Sequence, residues 1–229
     1  MSHLKLLLIR LFPKLYSIWH NLRVNKIKER EKKKKEAYDK YGTEILRDVF
    51  GFSNFYKYNI GCYYGTLLGL VRDNCLITWD DDLDFIILDS KGFSWKKFEK
   101  DLKAHGFSKF RTIEINKVTV GQSYTKKGVL CDFSLKKPGN GIENALYGCY
   151  QIENLSYKNG KEQFYKFWEC KVPQITNLIK SKHCGIEINI PQNYDDILSA
   201  YYGKNWSIPD PNFSQKKSYV EVKVKITEY

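Results

Sequence analysis

No two of the chain's six cysteines (62, 75, 131, 149, 170 and 184) form a C-x-x-C pair. That argues against a zinc ribbon, and against the paired spacing of a small disulfide-framed domain. Several lie in apolar stretches, such as Cys131 in VLCDF, as reduced, buried thiols of a cytosolic protein do. Histidine is scarce: His3, His20, His105 and His183 form no spaced cluster, so none is assigned to a metal or to catalysis. No apolar run approaches the 18 or more residues of a membrane-spanning helix. Neither an internal repeat nor a low-complexity linker divides the chain. No stretch interleaves aromatic and basic residues as an RNA-binding signature does, so nucleic acid is not an expected partner.

What is abundant is positive charge. The 229 residues carry a formal net charge of +12 and a pI near 9.2, which points to anionic partners such as nucleotide phosphates or an acidic membrane surface. Much of the excess sits in KIKEREKKKKEAYDK (residues 26–40), which reads as a solvated helix face or, alternatively, as a dedicated binding patch. Upstream, Leu, Ile and Trp alternate with Lys5, Arg10, Lys14, Arg23 and Lys26. This is a poor signal peptide, because Pro13 follows the short apolar stretch where a small-residue cleavage site belongs. Two readings stand for it: a helix packed on the domain, or an amphipathic segment lying on an anionic membrane. The expected location is cytoplasmic, with peripheral contact at the inner membrane face.

Residues 26–50 read as a long polar helix, with Ile27, Tyr38, Ile45, Leu46 and Val49 as core contacts. Residues 59–64 read as a strand, followed by a Gly65-Thr66 turn in which Thr66 caps the helix TLLGLVR. Residues 82–88 read as a strand entering a core, and 94–104 as a helix capped by Ser94. Two or three strands are expected within 107–124 and another at 129–135. Residues 161–169 and 193–201 look helical, and 185–190 extended. Strands and helices interleave, so the fold class is α+β: a mixed sheet flanked by helices, with an N-terminal helical extension over 1–50 and a catalytic domain over 51–229.

The chemistry concentrates in Trp79-Asp80-Asp81-Asp82-Leu83-Asp84. In an extended strand the spacing of two puts Asp80, Asp82 and Asp84 on one face, with Asp81, Leu83 and Phe85 on the other. Carboxylates held together repel and rise in pKa unless a cation neutralises them. Mg²⁺ or Mn²⁺ does so through oxygen ligands and keeps positions open for water and substrate phosphate. The flanking Trp79 and apolar LDFIIL argue against a mere acidic surface turn. Gly65 and Thr66 stand at a helix start, where free N–H groups and the helix dipole favour phosphate. Asp132, inside an apolar strand, needs a metal or a basic partner such as Arg72 or Arg111. Arg72 suits either a phosphate clamp or a structural pair with a neighbouring carboxylate, and Trp79 either a pocket wall or the core.

The order strand, Gly-Thr, helix, Asp82-Leu83-Asp84-Phe85, then Asp132 on a later strand resembles the nucleotidyltransferase superfold. More specifically, YYGTLLGLVRDNCLITWDDDLDFIIL resembles the signature of the LicD family of phosphotransferases, which includes fukutin and the fukutin-related protein. The shared features are Gly65 to Gly69, Arg72, and Trp79 to Asp84. A second stretch, INIPQNYDDILSAYYGKNWSIPDP, is similar to a later family region through Pro191, Tyr202, Gly203, Trp206 and Pro209. The chain departs from the family pattern at Asp73, Asn74-Cys75, Thr78 and Ser134 to Lys137, and none of these removes a carboxylate.

The resemblance implies a transferase that moves a phospho-alcohol from a CDP-activated donor to the hydroxyl of a glycan or lipid-linked glycan, releasing CMP. It implies Asp82, Asp84 and Asp132 as metal ligands, Asp80 as ligand or base, and Gly65, Thr66, Arg72 and Trp79 as substrate contacts. The superfold also admits a true nucleotidyltransferase that attaches the nucleotide and expels pyrophosphate.

Overall fold

The computed structural model describes residues 13–89, 92–151, 162–210 and 219–229. It opens with one 44-residue helix, α1 (Pro13–Tyr56), which runs through residue 50 as a single element. Its two halves are stabilised differently. The second half presents Tyr38, Ile45, Leu46, Val49, Phe50 and Phe52, all at most 3% exposed, to the sheet and the core. The middle is polar all round and relies on pairs one turn apart: Lys33 to Glu29 at 2.7 Å, Lys32 to Glu36 at 3.8 Å, and Lys35 to Asp39. The side chain of Ile27 and residues 1–12 of the N-terminal segment lie outside the described residues.

The remaining elements are β1 (Ile60–Cys62), α2 (Tyr64–Asp73), β2 (Asp82–Leu88), α3 (Trp95–Ala104), β3 (Ser108–Ile115), β4 (Val118–Lys126), β5 (Val129–Lys136), β6 (Ile142–Gln151), β7 (Glu162–Pro173), β8 (Leu178–His183), β9 (Ile186–Pro191), α4 (Tyr194–Tyr202) and β10 (Tyr219–Glu228). Eight strands form one mixed sheet in the order β1-β2-β5-β4-β3-β10-β7-β6, while β8 and β9 form a separate hairpin. The β2–β5 pair is parallel and its sheet neighbours are antiparallel. Three two-residue turns, Asn116-Lys117, Lys127-Gly128 and Cys184-Gly185, have positive φ at both positions. That twist matches tight hairpins between β3 and β4, β4 and β5, and β8 and β9. Behind β2 and β5, Phe85 and Phe133 stack at 5.1 Å, and Phe133 meets Phe98 of α3, whose first turn is capped by Ser94 accepting from the Lys97 amide.

Two expectations need correction. Residues 161–169, read as helical, fall in the strand β7 (Glu162–Pro173). Its aromatic run suits a strand, and it is paired on both sides, by β6 and β10. Thr66 does not cap α2: the helix begins two residues earlier, with Tyr63 at the cap position and Thr66 fully buried inside the first turn. Among the described residues no helix is long and apolar enough to cross a membrane.

Candidate active site

The site is built on Asp84. The parallel register sets Asp84 directly opposite Asp132 on β5, so these two carboxylates and Asp82 share one face of the sheet. The start of α2 grips Asp84 at three points. The Tyr63 amide donates to its carbonyl at 3.0 Å, its own amide donates to Thr66 Oγ1 at 2.9 Å, and the Gly65 amide donates to its carboxylate. The free N–H groups expected to meet a phosphate are thus partly committed to holding this acid. Gly65 has a second role. A Cβ there would come within 2.3 Å of Asp80 Oδ2, so only glycine lets the Asp80 carboxylate lie against the helix start.

Asp80 stands just before β2, in the turn that leads from Trp79, and its Oδ1 accepts from the Asp81 amide at 3.0 Å. Because the strand begins only at Asp82, strand alternation does not turn Asp81 away. Among the described residues Asp80, Asp81 and Asp82 are the three acids with ligand oxygens all within 4.8 Å of one another. Burial raises the pKa of Asp80, with the Asp81 charge adding to it. Burial and the neighbouring Asp132 charge push Asp82 up to about 7. Burial, then Asp82 and Asp132, hold Asp84 well above the ordinary carboxylate range.

Two residues of α1 complete this centre, and sequence reasoning assigned neither to it. Lys34 lies 2.8 Å from Asp81 Oδ1 and 3.5 Å from Asp82 Oδ2. Burial works against its charge, yet the Asp82 and Asp81 carboxylates outweigh it and raise its pKa. Tyr38 is 3% exposed, and its hydroxyl finds no hydrogen-bond partner among the described residues. Burial, then the charges of Asp80, Asp82 and Asp84, raise its pKa. The signal for both was helical phase. Lys34 precedes Tyr38 by one turn, on the stripe that continues through Ile45 and Val49, so it does not belong to the solvated face of the lysine run.

Asp132 faces the acidic centre and has a basic partner as well. Arg111 donates to its Oδ2 at 2.7 Å and to Ser123 Oγ at 2.8 Å. The other oxygen, Oδ1, is buried and has no hydrogen-bond partner among the described residues. A buried, unpartnered oxygen and an unpartnered hydroxyl beside crowded carboxylates are what a hard, oxygen-seeking divalent cation and its water would satisfy. The residues present fit such an ion.

Beside Asp80 opens a cleft of about 940 Å³. One wall comes from Gly65, Arg72, Trp79 and Asp80, the other from Tyr202, Trp206 and Pro209. The two sequence motifs, more than 100 residues apart, therefore face each other. Aromatic packing joins them: Tyr63, Tyr64 and Tyr201 meet edge to face at 4.6 to 5.8 Å, with the Tyr63 and Tyr201 hydroxyls 3.3 Å apart. Trp79 is a cleft wall and not a core residue, being 70% exposed. Arg72 forms a two-pronged pair with Asp73, at 2.9 and 2.6 Å, and its guanidinium lies 5.8 Å from the Trp79 ring. It is engaged by a neighbouring carboxylate and braces the tryptophan. Trp206 is anchored by its indole N–H to Asp195 Oδ1 at 3.1 Å.

A mixed sheet with paired acids on one strand, a third acid on the parallel neighbour and a helix start clamped between them defines a nucleotidyltransferase-type fold. The family described as LicD/FKTN/FKRP, nucleotidyltransferase domain, matches residues 60–193, which include the whole acidic centre except its α1 residues. The chain belongs to this family, and membership places it among the phosphotransferases of cell-surface glycan modification. No curated protein matches the chain.

Proposed function

We propose that the chain transfers a phospho-alcohol, of the phosphocholine, ribitol-phosphate or glycerol-phosphate type, from a CDP-activated donor to a glycan hydroxyl. One observation carries the reading: the two family motifs line one cleft together with Asp80, which belongs to the group Asp80, Asp81 and Asp82 with ligand oxygens within 4.8 Å of one another. Asp82, Asp84 and Asp132 would hold a Mg²⁺ or Mn²⁺ ion. Such an ion supplies charge neutralisation at the donor diphosphate.

The rest falls to the chain's own side chains. Trp79 and Trp206 offer broad faces to the donor's base or alcohol. Asp80, the acid of this face that also lines the cleft, accepts the proton of the attacking hydroxyl at Oδ2, and its raised pKa suits that role. Arg72 and Asp73 keep Trp79 in place, and the Tyr63–Tyr64–Tyr201 cluster keeps the two walls in register. Attack in line on phosphorus asks for little covalent work from the protein, so positioning and charge stabilisation dominate.

The test is product analysis. The purified chain is incubated with Mg²⁺, a CDP-alcohol labelled in the alcohol, and glycan acceptors. Release of CMP with the label on the glycan is the expected result. In a parallel incubation with nucleoside triphosphates in place of the CDP-alcohol, release of pyrophosphate with the nucleotide attached to the acceptor would instead identify a true nucleotidyltransferase.

A further inference from the structure

The first three described turns of α1 carry Leu15, Ile18, Trp19 and Leu22, which are 62, 57, 50 and 65% exposed. Their spacing of three and four places them on one stripe along the helix. Four large apolar side chains in a row, half or more exposed, are not what a solvated helix carries. The surrounding charge has one sign. Lys5, Arg10, Lys14, Arg23, Lys26 and Lys28 precede the chain's first acidic residue, Glu29. An apolar stripe within a purely basic segment complements an anionic lipid surface, where the side chains enter the acyl boundary and the lysines meet headgroup phosphates.

We infer that this stripe seats the protein on an anionic bilayer. The consequence for the reaction centre follows from the helix itself. Lys34, which touches Asp81 and Asp82, lies 12 residues beyond Leu22 on the same helix, about 18 Å at the helical rise. Laying the stripe on a membrane therefore holds the acidic centre about 20 Å along the helix from the contact. An acceptor hydroxyl on a membrane-anchored molecule would be presented there. That last step rests on the transferase reading; the membrane contact does not.

The full chain is mixed with vesicles of phosphatidylcholine alone, or of phosphatidylcholine with phosphatidylglycerol, and sedimented. A parallel set carries brominated acyl chains, which quench a tryptophan that enters the bilayer. Wild type is expected to sediment with the anionic vesicles only and to be quenched. The Trp19→Phe variant should still sediment but lose most of the quenching. The triple variant Leu15→Ser, Ile18→Ser, Leu22→Ser should bind roughly 100-fold more weakly. Because these residues are exposed, its melting temperature should match wild type, and a melt controls for misfolding. If the triple variant sediments as wild type does, the basic surface adsorbs without the stripe and the proposal fails. If wild type ignores both vesicles the proposal also fails, and a dimer in sedimentation velocity that the triple variant dissolves would make the stripe a contact between copies of the chain instead. None of these readouts uses turnover, so failure here leaves the transferase reading to stand or fall on product analysis.

Discussion

Replacing Asp82 with Asn should stabilise the metal-free protein and remove its response to metal. In the folded chain burial and the Asp132 charge push the Asp82 carboxyl up to about 7, from an ordinary value of 3.8. Keeping it ionised at pH 8 costs the folded state at most about 4 kcal/mol, taking ~1.4 kcal/mol per pH decade. Two things reduce this. The side chain is 24% exposed, and Asn forfeits the attraction of Lys34 at 3.5 Å. The net gain for Asp82→Asn at pH 8 is then about 1–3 kcal/mol, or roughly 2–10 °C in melting temperature for a chain of this size.

The sign over pH follows from the raised carboxyl. Its folded form binds the proton more tightly than the unfolded form, so the wild type is least penalised near pH 4. It loses stability as pH rises to about 7 and levels off above. The melting curves of the two proteins should therefore diverge over that window and run parallel beyond it. Divalent metal should close or reverse this gap. At 100 times its Kd an ion adds about 2.7 kcal/mol to wild type and almost nothing to Asp82→Asn. Melts with and without Mn²⁺ from pH 4 to 8.5 read both effects. If Asp82→Asn melts below wild type at pH 8 without metal, or gains as much from Mn²⁺, the account of a repelling, metal-binding cluster is wrong.

Four further outcomes can be checked. Lys34→Met removes the resident cation from Asp81 and Asp82; it should lower the metal-free melting temperature by about 2–6 °C at pH 8 and tighten Mn²⁺ binding several-fold by calorimetry, because the ion no longer competes with an ammonium. Gly65→Ala puts a methyl against Asp80 Oδ2 and should cut kcat at least tenfold, while far-UV circular dichroism stays unchanged. Asp73→Ala frees Arg72 from its two-pronged pair and lets Trp79 wander; donor KM should rise about three- to tenfold with kcat nearly constant. Tyr38→Phe deletes an unpartnered buried hydroxyl; folding stability should hold within about 1 kcal/mol while Mn²⁺ affinity falls, and equal affinity would remove Tyr38 from the site.

Elements with a strong local signature were legible in the sequence. The strand over 82–88 appears with those limits, since an acidic alternation passing into an apolar run fits only a strand entering a core. Ser94 caps α3, and α4 lies within one residue of its expected span. Elements whose signal lies in their partners were harder. β7 reads as helical by itself and is extended because β6 and β10 pair with both its edges. β6, β8 and β10 escaped the reading for the same reason, although Val220, Val222, Val224 and Ile226 alternate along β10. Pairing between distant segments is a property of the sheet, and periodicity within one segment does not contain it.

The site divides along the same line. The acids and Gly65 were legible because their types and spacing carry the chemistry. Lys34 and Tyr38 were not, because a lysine in a run of four and a tyrosine on a core stripe become site residues only when α1 lies across β2 and β5. Asp132 shows how two readings that seemed exclusive can both hold. A basic partner and a metal looked like alternatives for one buried carboxylate. Yet a carboxylate has two oxygens: Arg111 takes Oδ2 and leaves Oδ1 buried, unpartnered and on the face of Asp82 and Asp84. The arginine fixes the rotamer and offsets part of the burial cost, so the remaining oxygen stays buried, on a side chain that shares the sheet face of Asp82 and Asp84. On this argument Arg111→Met should weaken Mn²⁺ binding although the arginine never meets the ion. Asp132→Asn should weaken it further, because it removes the charge as well as the aim.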